Sequence, residues 1–160
     1  MSNEAKSIDL DLHAAKTSQA IIAASPGKPQ DTENLITKTL GVLQENGVYA
    51  CLLFLYARST DAHIAKEVRH ELLQMTFDLG LPLPPETNKQ EFDDLKELLR
   101  EDKGQDWKNG LKYVSDGICS DLDTLLMVRQ LWEQTLIYAR YGAKSWKENP
   151  EAKKAREVKS

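Results

Sequence analysis

Apolar side chains recur along the chain at the spacing of a helix face, and the clearest repeat lies near its middle. Intervals of three or four residues separate Ile64, Val68, Leu72, Met75 and Leu79, which places them on one side of a helix. This helix is predicted to begin after Asp61 as its N-cap and to end at Gly80 and the prolines that follow. Because no Asn-Gly turn separates two alternating strand-like runs, the pattern predicts an all-α fold.

Two helices are predicted before this one. The first covers about residues 8–24, and the positions spaced for its inner face are Leu12, Ala15, Gln19 and Ile22. The second is predicted to begin after Asp31 as N-cap and to end at Asn46-Gly47. Its inner face is formed by Ile36, Leu40 and Leu43, at i, i+4 and i+7.

The longest apolar run covers the ten residues 48–57. A helix that crosses a membrane needs about 20 apolar residues, so this run predicts a third helix that is buried in a protein core. Residues 1–12 carry three acids and no apolar run, which is unlike a secretory signal. We therefore expect a cytoplasmic protein without a membrane segment.

An acidic helix and a less regular segment are predicted after the prolines. The acidic helix covers about residues 89–103, and its inner face is predicted to contain Phe92, Leu95 and Leu99. In residues 104–117, the side chains expected to pack are those of Trp107, Leu111 and Tyr113.

The last helix is predicted to begin after a cap at Ser120 and to reach about Trp146, a length of roughly 40 Å. Its inner stripe is predicted to contain Leu122, Leu125, Trp132, Leu136 and Ala139. Arg129 interrupts this stripe, and we expect it to find an internal partner. Residues 147–160 form a charged tail without an apolar face, for which we expect disorder. The sequence thus predicts a single-domain helical bundle of five to seven helices over residues 1–146.

Composition excludes several classes of protein. The 160 residues carry a net charge of -4, which excludes a globally basic nucleic-acid binder but not a local basic surface. Cys51 and Cys119 provide neither a disulfide framework nor a zinc site, which needs about four ligands. Unpaired cysteines are typical of the reducing cytoplasm.

The charges are unevenly distributed along the chain. Residues 86–106 contain eight acids and four bases, whereas residues 129–160 contain eight bases and four acids. One end of the molecule is therefore expected to repel phosphate and the other end to attract it.

Within the basic part, Arg140, Lys144 and Lys147 lie at i, i+4 and i+7, on one stripe of the last helix. Tyr138 and Tyr141 lie beside this stripe and could contact a nucleic acid by stacking or through their hydroxyls. Cations near a helix C-terminus also interact with the helix dipole and need no ligand. The charges alone leave both interpretations open.

The sequence offers one candidate metal site, formed by His63, Glu67 and His70 on one helix face. Glu67 and His70 match half of the paired Glu-x-x-His motif of di-iron bundles, and the chain contains no second copy. Cys51 lies in an apolar run, and Cys119 is expected to be a packed thiol although it lies near a helix start. No phosphate-binding loop or nucleophile motif occurs. We therefore expect no catalytic residue, metal or cofactor, and no enzyme.

Two segments carry a resemblance to a known family. In residues 35–59 (LITKTLGVLQENGVYACLLFLYARS), a helix ends in Asn-Gly and an apolar helix that ends at a basic residue follows at once. Residues 131–144 (LWEQTLIYARYGAK) belong to the final helix. Together with the first and fourth helices, these segments resemble the small helical subunit of type III-B CRISPR effector complexes, the Cmr family.

The resemblance implies a structural subunit without catalysis, in antiviral defence. Proteins of this family stack in several copies along the backbone of a complex guided by CRISPR RNA and help form the groove that holds the target RNA. Guide–target pairing reads the sequence, so such a protein needs only to hold phosphates. The residues carried over to phosphate contact are Arg58, Arg140 and Lys144, and Lys147 is added from its position on the stripe.

The partners implied are the other subunits of the effector complex, further copies of this chain, and CRISPR RNA and target RNA through the complex. The acidic residues 86–106 of one copy could meet the basic residues of the next in an open head-to-tail row. Three alternatives stay open. They are the small subunit of another type III CRISPR complex, a helical adaptor that binds protein without RNA, and a metal-dependent enzyme that uses His63, Glu67 and His70.

Overall fold

The computed structural model describes residues 3–79 and 106–148, together with Gln90, Asp93, Asp94 and Glu97. In this part of the chain all regular structure is helical, which confirms the all-α prediction. Its six α-helices are α1 (Asn3–Ala24), α2 (Pro29–Asn46), α3 (Val48–Ala57), α4 (Ala62–Asp78), α5 (Asp106–Lys112) and α6 (Leu122–Glu148). A π-helical turn (Tyr113–Gly117) and a 3₁₀ turn (Ile118–Ser120) connect α5 to α6.

The long helix α6 packs along both α1 and α2. Near the end of α2, Gln44 Nε2 donates a hydrogen bond to Glu133 Oε1 at 2.8 Å. Near its start, Glu33 Oε2 lies 3.8 Å from Lys147 Nζ, so α2 and α6 run antiparallel. Arg129 Nη2 donates to the Gln44 carbonyl at 2.6 Å, where a cation meets the negative end of the α2 dipole. The internal partner predicted for Arg129 is thereby confirmed.

Apolar faces of the helices meet in one core. The predicted inner positions of α2 and α4 are confirmed, since the buried residues include Ile36, Leu40, Leu43, Ile64, Val68, Leu72 and Met75. Trp132 of α6 is fully buried, and its Nε1 donates to Thr76 Oγ1 at 2.9 Å. The polar N–H of the indole thus has a partner inside the core, which removes most of the cost of burying it.

The inner face of α1 differs from the predicted one. Leu12 is 48% exposed. Among the side chains of α1 that the structure describes, the buried ones are Ala14, Thr17, Ser18 and Ile21. Small side chains let α1 approach α6 closely; a Cβ on Gly142 of α6 would lie 3.3 Å from Ile22 Cγ1. The predicted face was wrong at Leu12 and Gln19, which are exposed, whereas Ile22 packs against the core as predicted. The pattern missed Ala14, Thr17 and Ser18 because small side chains carry little hydrophobic signal.

Two further apolar segments are less buried than predicted. In α3, Tyr49 and Leu53 are 41% and 46% exposed, because the neighbouring helices cover only the opposite side. In α6, Leu122 is 68% exposed, since α2 ends opposite Arg129 and does not extend to the first turn of α6. The later positions of the predicted α6 stripe are buried, namely Trp132, Leu136 and Ala139.

The starts of α2 and α4 differ in detail from the predicted caps. Helix α2 begins at Pro29 with Lys28 in the N-cap position, and Asp31 lies in its first turn, where a negative charge is favourable. Helix α4 begins after Asp61, as predicted, but the Asp61 carboxylate accepts hydrogen bonds from Arg58 and none from the helix. The sequence pattern could not decide whether the Asp61 carboxylate binds Arg58 or the first backbone N–H groups of α4, since both lie within three residues of Asp61.

The start of α6 is capped by Asp121 and not by Ser120. Thr124 N donates to Asp121 Oδ2 at 3.0 Å, which is the bond of an N-cap carboxylate to the third helical residue. Ser120 Oγ donates instead to the carbonyl of Gly117 at 2.6 Å. A carboxylate is favoured at this position because it also meets the positive end of the helix dipole.

Several predicted features lie wholly or partly outside the described residues. Of the acidic helix, the described residues Gln90, Asp93, Asp94 and Glu97 are helical and exposed, while Phe92, Leu95 and Leu99 lie outside. Leu111 and Tyr113 are buried, as predicted, and the side chain of Trp107 lies outside.

The predicted tail begins within a helix. Lys147 and Glu148 continue α6, so the helix extends two residues beyond its predicted end at Trp146. Residues 149–160 lie outside the described part.

Candidate nucleic-acid interface

Three cations form a stripe on α6, called here the cationic ridge: Arg140, Lys144 and Lys147. The helix is continuous from Leu122 to Glu148, so the spacing predicted from the sequence places these residues on one side of it. All three residues are exposed. In the described part of the chain, Arg140 and Lys144 make no hydrogen bond or ion pair. Their charges can therefore be offered to an external anion.

Within the described residues, Lys147 is the one cation of the ridge with an internal neighbour. Its Nζ lies 3.8 Å from Glu33 Oε2 of α2, and 46% of its side chain is exposed. Only 18% of the Glu33 side chain is exposed, and its Oε2 accepts no hydrogen bond within the described part of the chain. An external anion would therefore have to compete with this carboxylate for Lys147. The contact with Glu33 also shows where the ridge lies, namely on the side of α6 that faces α2.

Arg58 lies in the turn between α3 and α4 and forms a paired contact with Asp61. Its Nε and Nη2 donate to the two carboxylate oxygens at 2.7 and 3.0 Å, and its guanidinium lies 5.2 Å above the centre of the Phe54 ring. The pair raises the pKa of Arg58 and lowers the pKa of Asp61. A phosphate would have to compete with this carboxylate. Contact of Arg58 with RNA stays a prediction.

We expect Asp61→Asn to destabilise the protein slightly at neutral pH, by less than about 1 kcal/mol. The lowered pKa of Asp61 means that its contribution is present above the ordinary carboxyl pKa and is lost as pH falls through the folded-state value. The difference between wild type and variant should therefore be constant from pH 7 to about 5 and vanish in strong acid. Urea unfolding at pH 7, 5, 4 and 3 measures it. A difference that persists unchanged at pH 3 would contradict the ion pair.

Lys38 is a further cation that sequence analysis did not select. It is exposed on α2, and its charge helps to lower the pKa of Asp61. No basic run or helical stripe contains Lys38, so its proximity to the Arg58 pair arises only from the packing of α2 against the turn after α3.

The two tyrosines beside the ridge occupy different environments. Tyr138 Oη donates to Asp11 Oδ1 of α1 at 2.6 Å, and this bond raises the pKa of Tyr138. Tyr141 is 68% exposed and makes no hydrogen bond or ring contact in the described part of the chain. The Tyr138 hydroxyl is therefore bound to α1, whereas most of the Tyr141 side chain is exposed to solvent.

An open groove of about 310 Å³ lies between α1 and α6. Its lining residues are Ser18, Gln19, Ile22, Ala23, Tyr138, Gly142 and Trp146. Since Tyr138 contacts α1 and Lys147 contacts α2, the groove and the cationic ridge lie on different sides of α6. The groove is mainly apolar and no charged side chain lines it, so it lacks the cations with which the ridge could bind a phosphate.

The catalytic and metal candidates do not form a recognisable centre. The described residues contain no group of three or more His, Cys, Asp or Glu side chains arranged to hold a metal ion. His63 is exposed on α4, and Glu67 and His70 are partly buried.

The two thiols are free, and both are weakly acidic. Burial raises the pKa of Cys51 to about 12, and partial burial also raises the pKa of Cys119. Cys119 is exposed, so the expectation of a packed thiol is wrong; the 3₁₀ turn holds it outside the core.

Comparison of the chain with protein-family models, with curated proteins and with solved structures found no match. None of the helices in the described ranges combines the length and the apolar character needed to cross a membrane.

Proposed function

We propose that this protein is a non-catalytic structural subunit of a type III-B CRISPR effector complex, acting in antiviral defence in the cytoplasm. Several copies stack along the backbone of the complex and help hold the target RNA while it pairs with the guide RNA. The observation that carries the proposal is the cationic ridge, in which Arg140 and Lys144 are exposed and have no partner in the described part of the chain.

The ridge suits a strand of phosphates. Seven residues of helix separate Arg140 from Lys147, a rise of about 10 Å, so the ridge is long enough to meet more than one phosphate of a strand. Phosphate contacts position a nucleic acid without recognising its sequence. In a guided complex, the target sequence is recognised by base pairing with the guide RNA. The net charge of -4 disfavours binding to RNA outside the complex.

A protein-binding adaptor without RNA contact is the second candidate. Exposed apolar side chains favour it, namely Tyr49 and Leu53 on α3 and Leu122 and Leu126 on α6, because such groups mark protein interfaces when they cluster. The small subunit of another type III complex shares every feature of the first proposal and differs in its neighbouring subunits.

Affinity purification of the tagged chain from its own host tests the proposal. We expect several larger protein subunits together with one class of short RNA that carries a repeat-derived tag. The identity of the subunits separates type III-B from other type III complexes. Recovery of proteins without RNA would overturn the proposal in favour of the adaptor.

The ridge is tested by a charge reversal, Arg140→Glu with Lys144→Glu, in the purified complex. We expect affinity for a target RNA complementary to the guide to fall about tenfold or more, because phosphate contacts are lost and repulsion replaces them. The dependence of binding on salt should also become weaker.

The matched control reverses two exposed lysines elsewhere, Lys16 on α1 and Lys112 on α5, with the same change in net charge. This control should leave affinity within about twofold. Equal losses from both variants would show that only net charge matters and would remove the ridge from the proposal.

A further inference from the structure

Tyr141 lies at the crest of α6, between the side that faces α2 and the side that faces α1. Lys147 marks the first side through Glu33, and Tyr138 marks the second through Asp11. The Tyr141 side chain is 68% exposed and is held by no hydrogen bond or ring contact in the described part of the chain. Most of the surface of this side chain is therefore accessible beside the cationic ridge.

The neighbours of Tyr141 distinguish it from an ordinary surface tyrosine. Arg140 precedes it, and Lys144 follows one turn later on the same exposed surface. Within the described part of the chain, neither cation has a partner. An aromatic ring flanked by free cations is the arrangement with which proteins hold single-stranded nucleic acid, because the cations bind phosphates while the ring stacks on a base.

We propose that Tyr141 and the cationic ridge form a site for single-stranded RNA, in which an unpaired base stacks on the Tyr141 ring. In a duplex the bases are paired and stacked on one another, so a duplex can use the cations and not the ring. The inference rests on the proposed function, since the ridge must contact RNA, and it adds the preference for an unpaired strand.

The test uses the full chain and two probes, a 12-nucleotide oligo(A) RNA and a 12-base-pair RNA duplex, at low salt. Titrations followed by NMR chemical shifts detect weak binding in a protein of this size and report which residues respond. We expect Tyr141→Ala to weaken oligo(A) binding about five- to tenfold, which is the lower end of the range for one lost stacking contact. Duplex affinity should change less than about twofold, and Tyr141→Phe should bind oligo(A) like the wild type.

A second measurement, the affinity for oligo(U), separates the contribution of stacking from that of charge. Oligo(A) should bind more tightly than oligo(U) of the same length to the wild type, because purines stack more strongly, and Tyr141→Ala should reduce that difference. Since Tyr141 is exposed, its variants should retain the wild-type circular dichroism spectrum and Tm.

If reversal of Arg140 and Lys144 abolishes binding while Tyr141→Ala changes nothing, the ridge holds RNA and the stacking proposal is overturned. If the wild type binds the duplex more tightly than oligo(A), the preference for a single strand is overturned. If neither probe binds the isolated chain, or if the charge reversal does not change binding, this inference is overturned. The proposed function is then decided separately, by the charge reversal in the purified complex.

Discussion

Replacement of Trp132 by alanine should lower the free energy of unfolding by about 3–5 kcal/mol, the largest effect of a single substitution that we expect. Trp132 is fully buried between α4 and α6, and alanine would leave a cavity in the centre of the core. A domain of ordinary stability has only about 5–15 kcal/mol to lose. Urea unfolding followed by far-ultraviolet circular dichroism measures the change. The control is Gln130→Ala, an exposed position on the same helix, with an expected effect below about 0.5 kcal/mol.

The hydrogen bond of Trp132 can be separated from its packing. Thr76→Val removes the acceptor of the indole N–H and should cost about 1–3 kcal/mol, because a buried donor is left without a partner. Trp132→Phe removes the donor. If the bond contributes, the double variant should be destabilised by less than the sum of the two single variants. Strict additivity would show that the bond, at 2.9 Å, adds nothing to stability.

The fold was predictable where apolar residues are large and regularly spaced. The faces of α2 and α4 follow directly from such spacing, and the residues concerned are buried. The face of α1 was not predictable by the same rule, because Ala14, Thr17 and Ser18 face inward there. Small residues carry little hydrophobic signal, and the reason for burying them is the close approach of another helix.

The candidate site divides in the same way. The stripe of Arg140, Lys144 and Lys147 lies within one helix, so spacing alone places the three cations together. The hydrogen bond from Tyr138 to Asp11 joins residues 127 positions apart, so no local sequence pattern can indicate it. The difference between Tyr138 and Tyr141, on which the stacking proposal depends, could therefore emerge only from the packed structure.

Gly110→Ala should destabilise the protein by about 1–3 kcal/mol even though alanine is the better helix former. Gly110 is buried in α5, and a Cβ there would overlap the Tyr56 hydroxyl and lie 3.2 Å from Tyr56 Cζ. A shift of the Tyr56 ring would also disturb its contact with the guanidinium of Arg69, which lies 4.7 Å from the ring centre. The alanine would therefore separate α5 from α3.

The matched control for Gly110→Ala is Gly41→Ala in α2. A Cβ at Gly41 would meet nothing within 4 Å, so this substitution should stabilise the protein by up to about 1 kcal/mol through helix propensity alone. Tyr56→Phe removes the hydroxyl that the Gly110→Ala methyl would overlap, and the double variant should regain part of the lost stability. Opposite signs for the two glycines in thermal unfolding would establish that α5 is held against α3 by direct contact. A Gly110→Ala variant as stable as Gly41→Ala would show that this contact is loose and that the position of α5 depends on other parts of the chain.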